Sequence, residues 1–210
     1  MRKTAIFIGI LMTIATAALA AASDDAFFPW QKGDSWVYDT YEKGKSKPFE
    51  MTVVIQGPWK EGEASGMVMA QKDHRGTMRE FQEKNAQGIF IHKLALSKSY
   101  TPEATTSFTP AVPRVIFPLS PGTKVHWEGR LKVAWVDKPI KFDGIVVGWE
   151  DIQVPAGKFH CVKLFYDQWR GKDHVQETAW YAEGVGQVKY DGGQYVKELK
   201  TYRHGDAGTR

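Results

Sequence analysis

Cys161 is the one side chain whose type alone could carry covalent chemistry, as a thiolate nucleophile or half of a disulfide. Its neighbour His160 cannot activate it, because adjacent strand residues point to opposite faces. With a single cysteine no internal disulfide can form, and a buried, inert thiol is the simpler reading. The six histidines, His74, His92, His126, His160, His174 and His204, show no H-x-H or H-x₃-H spacing that would announce a metal site. The carboxylate pairs Asp24-Asp25 and Glu150-Asp151 sit where solvent would cover them. No G-x-S-x-G elbow and no glycine-rich phosphate loop is present. These residues predict no catalytic centre, no metal and no cofactor.

What remains is aromatic. Trp127, Trp135, Trp149, Phe165 and Trp180 concentrate in the second half, with Trp169 and Tyr181 beside them. They read as core, or as a concave apolar face for a lipid-like or aromatic ligand. Met51, Met67, Met69 and Met78 would give the first half a compliant surface of the same kind.

The elements that must position these side chains are strands. Phe49, Met51, Val53 and Ile55 alternate with Glu50, Thr52, Val54 and Gln56, and Leu131, Val133 and Trp135 alternate in the same way. Ile89 to Leu96 and Phe159 to Tyr166 are apolar on both parities, as in strands covered on both faces. Turn signals at Glu61-Gly62-Glu63, His74-Arg75-Gly76 and Asp191-Gly192-Gly193 separate the runs. The spacing predicts about nine to eleven antiparallel strands. Between Phe142 and Ile145 the apolar parity switches, which predicts a bulge or sharp bend at Gly144. The expected fold is a single all-β domain: a curved antiparallel sheet or open half-barrel.

The chain opens with Arg2-Lys3, an apolar run from Ala5 to Ala17, and small residues around Ala20 and Ala22. That order is a cleavable signal peptide, residues 1–22, cut after Ala20 or Ala22. The run is shorter than the ~20 residues that span a bilayer, so no membrane anchor is expected in the mature form. No cysteine follows the cut to take a lipid. The address is periplasmic or secreted. Arg2 and Lys3 are the only charges removed, leaving 28 − 2 = 26 basic residues against 24 acidic ones, too even a balance to suggest nucleic acid.

Residues 23–202 form the β domain, and 203–210 read as a disordered tail. Phe28-Pro29-x-x-x-Gly33-x-x-Trp36-x-Tyr38 returns 89 residues later as Phe117-Pro118-x-x-x-Gly122-x-x-Val125-x-Trp127. This suggests duplicated halves, 27–96 and 114–202. Between them, 97–113 carries Pro102, Pro110 and Pro113 and reads as a connector.

Val154-Pro155-Ala156-Gly157-Lys158-Phe159, followed by Trp180-Tyr181-Ala182-Glu183-Gly184-Val185-Gly186-Gln187-Val188-Lys189, resembles the TapB-like family of exported bacterial proteins. Glu183 and Gln187 depart from that pattern, which more often has proline and leucine there. The resemblance implies a β-rich envelope protein, built like the half-barrels of lipoprotein carriers, and brings no catalytic residues. Pro155, Gly157, Gly184 and Gly186 are read as fold-defining turns, with Val185 a buried anchor between two permissive positions. The expected function is non-catalytic binding of an apolar small molecule or an envelope component. The alternatives are an assembly protein that recruits a partner by its sheet edges, and an enzyme using Cys161.

Overall fold

A computed structural model of the chain describes residues 23–205. The signal peptide, with Ala20 and Ala22, and residues 206–210 lie outside the described residues.

After a single 3₁₀ turn at Asp24–Phe27, twelve strands follow one another: β1 (Ser35–Glu42), β2 (Phe49–Glu61), β3 (Ala64–Asp73), β4 (Gly76–Asn85), β5 (Gly88–Ser97), β6 (Ala104–Ile116), β7 (Lys124–Val133), β8 (Val136–Val154), β9 (Gly157–Arg170), β10 (Asp173–Ala182), β11 (Gly186–Asp191) and β12 (Tyr195–Arg203). Each pairs antiparallel with the next, and β12 pairs with β1, so the sheet closes as a barrel. The all-β curved sheet is the expected class. Its curvature runs further than a half-barrel, because the Ser35–Glu42 edge finds Tyr195–Arg203 and leaves neither strand unpaired.

Strict up-and-down order sorts the turns between two ends. The β1–β2, β3–β4, β5–β6, β7–β8, β9–β10 and β11–β12 turns share one end, here called the mouth. The opposite end is plugged. Phe27, Phe28 and Leu119 are buried there with Ile89, Val115, Val146, Val162 and Leu164, and Trp30 and Phe117 pack on them. The Phe28 and Phe117 rings lie 5.7 Å apart. Each buried aromatic of this kind stabilises by about 1.5–3 kcal/mol. Backbone bonds fasten the plug: Gly184 N donates to Ala26 O at 2.7 Å, and Ala156 N, from the β8–β9 turn, to Leu199 O at 2.9 Å.

The repeated segments fold alike. Gly33 N donates to Ile55 O and Ile55 N to Asp34 O; Gly122 N donates to Val146 O and Val146 N to Thr123 O. The next irregularities also correspond. The ladder slips between Ile55 and Gly57 in β2 and between Val146 and Gly148 in β8, with φ of +147° and +152° at the two glycines.

Three expectations are corrected. The bulge in β8 falls at Val147–Gly148, not at Gly144. Gly144 is regular and inward-facing, and a Cβ there would come within 2.9 Å of Val125 Cγ1 and 3.1 Å of the Tyr166 ring. The glycine makes room for side chains, while Ile145 turns outward. Secondly, most of the expected connector is β6, which raises the strand count to twelve. Its prolines cannot donate to a ladder, and β6 joins β7 only from Thr106 to Thr109. Thirdly, the expected disordered tail begins too early. Arg203 belongs to β12, and Gly205 N donates to the buried Asp34 carboxylate at 2.8 Å.

The outer face of β7 is polar. In β7 the outward residues are Lys124, His126, Glu128, Arg130 and Lys132, all exposed, where a lipid-facing barrel strand would carry apolar side chains. No helix among the described residues is long and apolar enough to cross a membrane.

The positive φ at Gly148 predicts a test. No atom lies within 4 Å of a Cβ built there, so Gly148→Ala strains only the backbone. Urea unfolding should show a loss of about 1–3 kcal/mol. An unchanged midpoint would mean that β8 carries no such bulge.

Candidate functional site

Inward-facing residues of nine of the twelve strands line a cavity of about 370 Å³. It runs from the middle of the barrel to the mouth, where exposed Arg170 and Gln194 border it. A smaller void of about 60 Å³ lies toward the plug. Gln71, Arg114, Tyr181, Gln187 and Lys197 border both, so they form a polar layer across the lumen. Mouthward of that layer the wall is mixed: Leu94, Phe108, Ile140 and Phe142 give it apolar side chains, and Gln168, Arg170, Glu177 and Gln194 polar ones.

The polar layer is built on Glu80, 2% exposed. Its carboxylate accepts from Gln71 Nε2 and, at 2.6 Å, from Gln82 Nε2. Arg114 Nη1 stands 3.6 Å away. Tyr166 OH donates to the Arg114 carbonyl at 2.8 Å, Tyr38 OH to the Gln187 carbonyl at 2.8 Å, and Gln187 Nε2 to Tyr181 OH at 3.2 Å. Burial pushes the phenols of Tyr38, Tyr166, Tyr181 and Tyr190 up, so they remain neutral donors.

Lys197 is the anomaly. It is 3% exposed, and its ammonium has one long polar contact, Gln71 Oε1 at 3.5 Å. The rings of Tyr190 and Tyr38 lie 4.8 Å and 5.5 Å away. Burial first, and the Arg114 charge second, push its pKa down to about 8, against the smaller opposing pull of the Glu80 and Glu177 carboxylates. Arg114, Lys197 and Arg170 give the cavity three cations against the carboxylates of Glu80 and Glu177. The lumen therefore presents a cationic, donor-rich layer beside a partly apolar wall.

The aromatic residues picked from the sequence do not meet around this space. Trp127 packs on the plug core, with its Nε1 buried and unbonded among the described residues. Trp135 stands 92% exposed at the β7–β8 turn. Trp149 is stacked on His160, 5.5 Å between centroids, at the plugged end. Phe165 faces outward on β9, opposite Ile145 of β8. Trp180, between the cavity-facing Ala179 and Tyr181, points the other way, bonded to Glu150 and covered by Lys163. Period-2 aromatics divide between the two faces of a closed sheet, and only one face looks at the lumen. Glu80, Arg114 and Lys197, which do line it, were missed because they are polar. The usable signal was parity: Lys197 falls between Tyr195 and Leu199, and Glu80 between Met78 and Gln82, on faces otherwise committed to the interior.

The turn residues sit at the plugged end. Pro155 and Gly157 lie in and beside the β8–β9 turn, and Gly184 and Gly186 frame the β10–β11 turn. Val185 between them is buried, and its carbonyl accepts from Trp36 Nε1 at 2.6 Å. Cys161 is fully buried, its Sγ directed at the Phe159 carbonyl 3.7 Å away, and burial pushes its pKa up to about 12. His160 points away from it, to Asp151.

Residues 140–202, β8 to β12 with both sequence motifs inside them, match the DUF3108-like family model. Among solved structures, a candidate exported protein with a YmcC-like fold from Bacteroides fragilis is similar, with a TM-score of 0.52 and 15% identity. The match covers 84% of this chain and 98% of that one, and the likeness is one of fold. A candidate lipoprotein from Parabacteroides distasonis matches with a TM-score of 0.48 and 14% identity, over 84% of this chain and 98% of its own. No curated protein matches.

Lys197 yields a stability prediction with a definite sign. A lysine whose folded pKa is depressed opposes folding below that pKa, and its penalty fades as pH rises from about 8 toward the ordinary 10.5. At about 1.4 kcal/mol per pKa unit, the penalty at neutral pH is on the order of 3 kcal/mol. Lys197→Met should therefore raise the melting temperature at pH 7 and flatten the gain in stability between pH 8 and 10.5. A destabilised variant with an unchanged pH profile would show that Lys197 is well compensated.

Proposed function

We propose that this protein is an exported, non-catalytic binding protein that holds one small amphiphile inside the barrel. The observation that carries the reading is a cavity with Leu94, Phe108 and Phe142 in its wall beside a buried ammonium that has no carboxylate in salt-bridge range among the described residues. A carboxylate or similar anion placed between Arg114 and Lys197 would supply what the fold withholds. A short apolar chain would then run toward the mouth along Leu94, Phe108 and Phe142. The volume lies at the small end of ligand cavities, which run from about 300 Å³ upward.

Export is supported by the signal-like start and by the exported description of the similar Bacteroides fragilis structure. The VPAGKF and WYAEGVGQVK segments add the TapB-like resemblance to envelope proteins. Burial and a raised pKa leave Cys161 without thiolate character, which favours binding over thiol catalysis. Recruitment through strand edges has little to work with in a closed ring. Its two short seams are β11–β12, paired from Lys189 to Asp191, and β6–β7, paired from Thr106 to Thr109, where Pro110 and Pro113 blunt the free edge.

Titrating the mature protein with dansyl-undecanoic acid tests this. Saturable one-to-one binding is expected, weakening above pH 8 as Lys197 loses its proton. Leu94→Trp should block it. Lys197→Met should weaken the carboxylate about tenfold, equal to about 1.4 kcal/mol, and the corresponding alcohol little. Unsaturable binding, or binding indifferent to both substitutions, would remove the lumen as the site.

A further inference from the structure

The mouth is the apolar and basic end of the molecule. Eight large hydrophobic side chains are conspicuously exposed among the described residues, and five of them, Tyr41, Leu96, Tyr100, Trp135 and Val136, lie at or near mouth turns. The other three, Val147, Trp149 and Tyr202, lie toward the plug. Two are extreme: Tyr100 is 103% exposed and Trp135 92%, each at the tip of a hairpin. The tips are neighbours, because Thr106 of β6 pairs with Val133 of β7. Trp135 stands two residues past that pair and Tyr100 six.

Lysines surround them. Lys98, Lys132 and Lys138 are exposed on the same two hairpins. The carboxylates of those hairpins are already engaged, Glu103 by Arg79 and Asp137 by Arg130. Across the mouth, Lys43, Lys45 and Lys47 are exposed in the β1–β2 turn and Lys172 in the β9–β10 turn. Isolated exposed apolar residues need no explanation. A tryptophan and a tyrosine projecting from adjacent tips, within a ring of lysines, do.

We infer that the mouth docks on an anionic phospholipid surface, with Trp135 and Tyr100 entering the headgroup region and Lys98, Lys132 and Lys138 meeting the phosphates. Tryptophan and tyrosine are the side chains that settle at that depth, with an apolar ring and a polar edge. Basic residues beside them draw the protein to a negative leaflet over about a Debye length. A protein surface of opposite charge would satisfy the lysines but leave two fully projecting rings to find matching pockets. A fluid interface accepts them without such a fit. The same end holds the opening of the cavity, so a docked barrel faces its lumen to the bilayer. The surface is read from the rim and stands whatever the cavity holds.

Flotation of the mature protein with vesicles separates the outcomes. Binding is expected to vesicles of equal parts phosphatidylglycerol and phosphatidylcholine at low salt, and not to phosphatidylcholine alone. The Tyr100→Ser/Trp135→Ser pair and the Lys98→Glu/Lys132→Glu/Lys138→Glu triple should each weaken it at least tenfold. All five side chains are exposed, so circular dichroism and dansyl-undecanoic acid binding should match the parent. Tryptophan quenching by brominated phosphatidylglycerol should appear in the parent and vanish in Trp135→Phe. Absent flotation, equal flotation with neutral vesicles, or variants that bind like the parent would overturn the inference. So would cross-linking of the tips to a protein without any vesicle binding.

Discussion

A ring of twelve strands is wider than its own inward side chains can fill. Barrel diameter grows with strand number, and about eight strands already leave just enough interior for side chains. Every other feature follows from the extra width. One end is filled with chain: the segment before β1 and the Phe117–Gly122 connection bring Phe27, Phe28 and Leu119 into the lumen. The other end is not filled, and polar side chains occupy its middle.

Those polar side chains are the unusual part. Glu80, Gln71 and Gln82 satisfy one another and hold Arg114, so the layer is rigid and mostly compensated. Lys197 is not. Replacing such a residue with an apolar one would be simple in folding terms, since buried charges are weak sources of stability. A retained, poorly paired ammonium next to open space has the form of a binding group awaiting its anion. The duplicated plug geometry, with matching bonds at Gly33 and Gly122, fixes the closed end. The cavity then opens at the mouth, where Arg170 and Gln194 border it.

The class of fold was legible because period-2 alternation survives almost everywhere. Its details were lost where a local rule was overridden. Gly144 looked like a bulge because its apolar neighbours change parity, yet Ile145 simply faces outward and the slip comes at Val147–Gly148. Pro110 and Pro113 looked like a connector because they cannot donate, yet β6 needs few donors on that side. Closure of the ring was not legible at all, since the β1–β12 pairing joins the ends of the chain. The site was hidden for the same reason. Glu80, Arg114 and Lys197 come from β4, β6 and β12, and only a closed barrel brings them together.

The state of Lys197 concentrates the account. Carbon-detected NMR of the lysine Cε, followed through alkaline pH, reads its titration directly. The account predicts a free-protein pKa near 8 that moves upward when dansyl-undecanoic acid is bound. An ordinary lysine value in the free protein, or one that the bound carboxylate leaves unchanged, would contradict it.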